Sequence, residues 1–387
     1  MARGASEGGD PSLSRGLAGA ALALRYLAVG LDEPSFLAAA GSAFDRAADA
    51  LTSQRLGVGV MQGFTGVGWT AEHLHTGGPD EDPCEAIDEA VLLVLRRSAW
   101  PGDYDLVSGL VGVGIYALER IARPHGPEML ERVVAHLAAR ARPSRDGLAW
   151  FTEPAFMPPE ALEHLPDGYF NVGVAHGVPG VIALLASALQ SGVAGATARR
   201  LLEGAVDWTL AQRLPAVSRS IWPYHVGPGV EPGPARVAWC YGDPGIAIAL
   251  LRAGLAAGRD DWVEVALEAA LRMLERDPAE GRVDSASLCH GSAGVAQICL
   301  RLNHLIPDAR FVEGARRYLR RALEVRVPEL PMAGYTVWDP ESRSHAGDVQ
   351  GPGFLAGVAG IALALLSAAT ETAPDWDRAL LLSGPVS

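Results

Sequence analysis

One short motif recurs seven times along the sequence, and this restricts the fold more than any other feature. Gly-x-x-Gly followed by an apolar run occurs as GLAG at Gly16, GFTG at Gly63, GLVG at Gly109, GVPG at Gly177, GDPG at Gly242, GSAG at Gly291 and GVAG at Gly357, in steps of 47, 46, 68, 65, 49 and 66 residues. One motif recurring at steps of this size marks a repeat architecture. After each motif comes a stretch such as VIALLASAL or IAIALLRAGL, apolar nearly all round, as befits a helix buried on every side. A second stretch follows with its charges on one face, for example DDWVEVALEAALRMLERD. A short step therefore holds two helices of about 15 residues and their turns. Strand signals are scarce. The pattern predicts an all-α chain of seven helical hairpins, each with an apolar inner helix and a half-charged outer helix.

Such hairpins stack because each leaves an apolar face uncovered, and the stack ends either as an open solenoid or as a closed ring. The first and last repeats carry the same apolar inner helix as the middle ones, with no polar substitute. That favours closure into an α/α toroid, a barrel of inner and outer helix rings. Residues 13–387 then form one domain, and the polar, glycine-rich residues 1–12 are expected to be a flexible tail. The motif glycines, lacking side chains, let helix starts approach neighbouring backbone closely.

Composition excludes several functions. Against 32 basic residues stand 45 acidic ones, a net charge of −13 that repels nucleic acid. No lysine occurs, which rules out a Schiff-base lysine and a Walker-type phosphate loop. No segment reaches the roughly 18 uncharged apolar residues of a membrane span, and GLAGAALALRYLAVGL is interrupted by Arg25 and resembles a secretory signal only weakly. A soluble, cytoplasmic protein is expected. The four cysteines, Cys84, Cys240, Cys289 and Cys299, are too few and scattered for a disulfide scaffold, so an important one should be a thiol or a metal ligand.

The repeat converts sequence offsets into positions in space. Residues just upstream of each motif should share one rim of the ring, and four consecutive hairpins place reactive groups there: Asp105, His176, Cys240, and Cys289 with His290. Two thiols and an imidazole from adjacent hairpins fit a Cys₂His zinc site whose fourth position stays open, the catalytic pattern. Alone, Cys240 reads more readily as an inert buried cysteine; Cys289-His290 at the same offset in the next repeat reverses that. Cys84 and Cys299 lack this placement and read as structural. An open position on thiolate-ligated zinc suits a substrate thiol, which is mostly protonated at neutral pH when free. His176 is the candidate acid or base, or else a structural histidine in a glycine turn. Asp105 either orients an imidazole or caps a helix.

At these residues the sequence resembles the lanthionine synthetase C-like family, the lanthipeptide cyclases, through AWCYGDPG, SLCHGSAG, GVAHGVPG and the closing DWDRALLLS. The resemblance runs through essentially the whole chain, and WCYG followed about 50 residues later by CHG is its specific part. It implies a seven-hairpin toroid holding one zinc ion, and addition of a precursor-peptide cysteine thiolate to dehydroalanine or dehydrobutyrine to close a thioether ring. Cys240, Cys289 and His290 match the family's zinc ligands, His176 its proposed acid/base histidine, and Asp105 its active-site aspartate. Arg236 and Tyr241 match residues lining the same site; a rim arginine paired with an acidic loop and a packed tyrosine are their alternative readings.

The three long steps add Pro- and aromatic-rich segments, residues 150–170, 220–234 and 334–354, expected to overhang the rim as a peptide-binding lip. No interval has room for the further domain that some family members carry, and a separate dehydratase is expected to make the dehydroamino acids. Two other readings stand beside the cyclase. One is a zinc toroid enzyme of the prenyltransferase type, whose ligands include a carboxylate; the other is a noncatalytic or glutathione-using relative.

Overall fold

The computed structural model describes residues 9–78, 80–329, 331–335 and 351–385. In chain order the main helices are α1 (Leu17–Gly30), α2 (Ser35–Ser53), α3 (Phe64–Leu74), α4 (Glu85–Leu95), α5 (Leu110–Glu119) and α6 (Gly126–Arg140). A single turn, α7 (Pro159–Leu162), precedes α8 (Val178–Gln190), α9 (Gly195–Ala211), α10 (Asp243–Ala257), α11 (Asp260–Glu275), α12 (Ser292–Leu305), α13 (Ala309–Glu324) and α14 (Val358–Ala369). The first glycine of each of the seven motifs is the N-cap of α1, α3, α5, α8, α10, α12 or α14.

These seven are the inner ring. Each touches the next, and α14 returns to α1, so the ring closes. In α8 every residue from Val178 to Ala188 is buried, and in α10 every residue from Asp243 to Gly254. The outer helices bury only a stripe, as α11 does with Trp262, Ala266, Ala269, Ala270 and Met273. The fold is therefore the all-α toroid with inner and outer rings. Among the described residues no helix is long and apolar enough to cross a membrane.

The glycines approach a backbone that sequence did not identify: their own upstream segment. A Cβ on Gly242 would lie 1.9 Å from the Arg236 carbonyl oxygen, and one on Gly245 2.2 Å from that of Trp239. Gly242 also has φ +95°, which side-chain-bearing residues rarely adopt. Each inner helix start is thus wrapped by the six residues before it. The wrapped segments are tied to one another by backbone hydrogen bonds that run round the ring at the residue two before each motif. Ser14 donates to Met61, Met61 to Val107, Ala175 to Cys240, Cys240 to Cys289, Cys289 to Leu355 and Leu355 to Ser14. Between Val107 and Ala175 the donor is the adjoining Leu106.

The seventh hairpin departs from the others. After α14 the chain forms only a 3-10 helix, Asp375–Leu380, and enters the lumen from the C-terminal ends of the inner helices. Arg301 binds Asp377 and the Pro374 carbonyl, Arg252 the Leu381 carbonyl, and Arg378 the Glu119 carboxylate. The Trp239 indole donates to the Leu380 carbonyl. The Pro374, Leu380 and Leu381 carbonyls of this segment are thus held by side chains, in addition to the short ladder of the 3-10 helix.

Two of the three long segments are built rather than loose. A hairpin of β1 (Arg142–Ser144) and β2 (Gly147–Ala149) precedes a three-stranded antiparallel sheet of β3 (Phe151–Thr152), β4 (Tyr169–Asn171) and β5 (His225–Val226). The third segment, 334–354, lies mostly outside the described residues, as does most of the expected N-terminal tail. Residues 10 and 11, assigned by sequence to that tail, accept hydrogen bonds from Leu17 and Ala18 and so wrap the start of α1.

Candidate metal and active site

Because the residues two before each motif are joined round the ring, Cys240 and Cys289 are backbone neighbours: the Cys240 N–H donates to the Cys289 carbonyl at 3.1 Å. His290 follows on the same segment. The ligand atoms of Cys240, Cys289 and His290 all lie within 4.8 Å of one another. His290 Nε2 is buried with no hydrogen-bond partner, an arrangement that buried nitrogens rarely tolerate without a ligand. Two sulfurs and an imidazole, with no carboxylate in the group, suit a borderline-soft divalent ion. The residues present therefore fit a metal.

The electrostatics favour the ligating forms of Cys240 and His290 and oppose that of Cys289. A hydrogen bond from the Cys289 thiol, set against burial and aided by the charge of Arg236, holds the Cys240 thiol below its ordinary value. The same hydrogen bond and burial raise Cys289 well above it, so the pair loses one proton readily and keeps the second until a cation replaces it. Burial, with Arg236 adding to it, pushes His290 down to about 4, leaving a neutral imidazole. Arg236 reaches Asp284 only at 4.0 Å, and its Nε is buried without a partner.

His176 stands on the next segment round the ring. Its Nδ1–H donates to Asp105 Oδ2 at 2.5 Å, while Asp105 Oδ1 accepts from the Ser108 N–H and hydroxyl. Asp105 thus caps its own turn and orients the imidazole at once. Burial opposes protonation of His176, but the hydrogen bond and charge of Asp105 outweigh it, and its pKa is raised above 6.5. The Asp105 carboxylate is 3% exposed and the His176 side chain 42%, so the proton-holding pair has a buried anchor and an accessible ring. Tyr241 lies beside it, ring centroids 6.3 Å apart.

Several contributing residues gave no signal in the sequence. Asn171, fully buried at the end of β4, donates to the Tyr241 hydroxyl at 2.9 Å. Tyr224 packs 5.2 Å from Tyr241 and accepts from the Arg236 N–H. Asp103 is pushed up to about 6 by burial and by the Asp105 charge. Only the spatial pairing of the two long segments with the rim would have picked these out. Cys84 and Cys299 lie elsewhere, buried, with thiols that burial pushes up to about 12.

With this geometry in place, similarity to known proteins is decisive for the family. A family model described as "Lanthionine synthetase C-like protein" matches residues 8–381. The chain belongs to that family. It is 26% identical over 293 residues to the nisin biosynthesis protein NisC of Lactococcus lactis subsp. lactis, a match that takes in 73% of this chain and 65% of NisC. The solved structure of a nisin cyclase superposes with a TM-score of 0.78 at 22% identity, covering 97% of this chain and 93% of that one, which establishes the shared fold.

Proposed function

We propose that this protein is a zinc-dependent lanthipeptide cyclase, in keeping with its family and with the description of its relative as a nisin biosynthesis protein. The observation that carries the reading is the juxtaposition of a three-donor Cys240, Cys289 and His290 cluster with a histidine held by a buried carboxylate. A zinc ion bound there would supply an open position at which a substrate thiol gives up its proton near neutral pH. The rest of the reaction falls to the chain. The thiolate of a precursor-peptide cysteine adds to the β-carbon of dehydroalanine or dehydrobutyrine; a carbon–sulfur bond forms, and the alkene π-electrons move onto the neighbouring carbonyl as an enolate. His176, whose protonated form Asp105 favours, returns a proton to the α-carbon through Nε2, the ring nitrogen that Asp105 leaves free. Arg236 keeps positive charge beside two groups that must be anionic. Asn171 fixes Tyr241 as the wall against which the acceptor lies.

The dehydrated residues come from a separate dehydratase. A donor set without a carboxylate supports this reading over a prenyltransferase-like thiol alkylator. The test is incubation with a dehydrated precursor peptide encoded nearby, followed by thiol alkylation and mass spectrometry. Ring closure leaves the peptide mass unchanged and removes one alkylatable thiol per ring; a full thiol count with a verified substrate refutes the proposal.

A further inference from the structure

The segment 220–234 contributes to more than the rim. Tyr224, whose ring lies 5.2 Å from Tyr241, also receives the guanidinium of Arg282 at 5.3 Å from its ring centre. Beyond it opens a cavity of about 490 Å³ lined by Arg219, Tyr224, Pro234, Arg276, Glu280 and Arg282 among others. Three guanidinium groups face one carboxylate there, in a chain whose net charge is −13.

These arginines are incompletely satisfied. The Arg276 side chain is 9% exposed; its Nη2 donates to the Ala235 carbonyl, but Nε and Nη1 are buried without a hydrogen-bond partner. Its nearest carboxylate, Asp243, is 3.9 Å away and already accepts from the backbone of Ile221 and Trp222. Arg219, exposed on the same wall, has no partner among the described residues. Arg282 donates to the Tyr224 hydroxyl and the Pro234 carbonyl. A buried guanidinium with so little compensation costs free energy that an incoming anion recovers.

We infer that this cavity is a subsite for a carboxylate-bearing stretch of the peptide substrate, held by Arg219, Arg276 and Arg282 while the reacting residues lie across Tyr224 at the cysteine rim. The cations sit on three separate pieces of chain, a loop, the end of α11 and a turn. That spread suits several carboxylates strung along a peptide better than one tetrahedral anion. The volume is also that of a peptide-sized pocket rather than an ion site. The inference rests on the cyclase reading for the identity of the ligand.

The test uses the full-length protein and a fluorescent acetyl-triglutamate amide, with the triglutamine peptide and inorganic phosphate as further arms, followed by anisotropy. Saturable binding of the glutamate probe alone is expected, weakened by salt and by roughly tenfold or more for each of Arg219→Gln and Arg282→Gln. Metal content should match that of the parent, which shows that the variants fold. Equal binding of the glutamine peptide, indifference to both substitutions, or preferential binding of phosphate overturns the proposal. The probe carries neither thiol nor alkene. Absent probe binding with intact thiol consumption therefore refutes the subsite alone, and intact probe binding without thiol consumption refutes the cyclase reading alone.

Discussion

Replacement of Gly245 by alanine tests whether the wrapped helix start holds the metal ligands in place. Gly245 lies in the first turn of α10, where a Cβ would stand 2.2 Å from the Trp239 carbonyl oxygen and 2.9 Å from Val174 Cγ2. Ordinary contact begins near 3.4 Å, so the Trp239 carbonyl must retreat by about an ångström. No rotamer change relieves the clash, because the obstacle is backbone. Overpacking of this kind costs about 1–3 kcal/mol, and a backbone obstacle belongs at the upper end. Alanine's better helix propensity returns roughly 1 kcal/mol, for a net loss of about 2 kcal/mol. The displacement is transmitted directly, since Trp239 precedes Cys240 and its indole is anchored on the Leu380 carbonyl. Metal affinity should therefore fall together with stability. Gly41→Ala is the control: it lies within α2 with nothing inside 4 Å of its Cβ position, and should stabilise by roughly 0.5–1 kcal/mol. Urea unfolding followed by far-ultraviolet circular dichroism, with chelator competition for bound metal, reads both effects. Parental stability and metal affinity in Gly245→Ala would refute the reasoning.

Cys289→Ala removes one donor of three and should abolish metal binding measured by elemental analysis, while His176→Asn should keep the metal and slow thioether formation roughly 10²–10⁴-fold. The Asp105 carboxylate raises the His176 pKa, so the acid form persists below that raised value and activity declines as pH rises through it. Asp105→Asn should shift this alkaline limb of the pH–rate profile to lower pH with metal content unchanged. At the far end of α5 from Asp105, Asp88 and Arg120, both fully buried, pair at 2.6 Å, and Asp88 also accepts from the Tyr116 hydroxyl. Asp88→Ala removes the fully buried partner but leaves Arg120 paired with Glu72 and Asp82, and should cost about 1–3 kcal/mol in urea unfolding, without altering metal affinity.

Most of the fold was legible because its period is carried by residues whose chemistry the architecture demands: glycine where a Cβ would strike backbone, and apolar residues round each inner helix. The proximity of Cys240, Cys289 and His290 was legible for the same reason, since equal offsets from equal motifs become adjacent places on a ring. The illegible parts lack any period. Strands β3 to β5 are two or three residues long among prolines, too short for alternation to register. Asn171 and Tyr224 act through partners 70 and 12 residues away. The closing DWDRALLLS forms no seventh outer helix: inside the lumen its Asp377 carboxylate is held by Arg301 of α12 and its Leu381 carbonyl by Arg252 of α10, a tertiary choice that outweighs local propensity.

The ring of backbone hydrogen bonds explains how one scaffold accommodates this chemistry. Its seven positions are occupied by Ser14, Met61, Val107, Ala175, Cys240, Cys289 and Leu355, which share neither size nor polarity. Only their N–H and C=O groups are required, so the architecture fixes where each backbone lies and leaves the side chain open. Two neighbouring positions filled with cysteine create a two-sulfur cluster, the residue after the second adds an imidazole, and the residue after Ala175 is His176, the histidine proposed here as acid and base. The proposed metal ligation and proton transfer would therefore be changes of side chain on a frame that holds itself closed without them, which is why a defect in the frame, as at Gly245, should be felt in metal affinity even though every proposed ligand is intact.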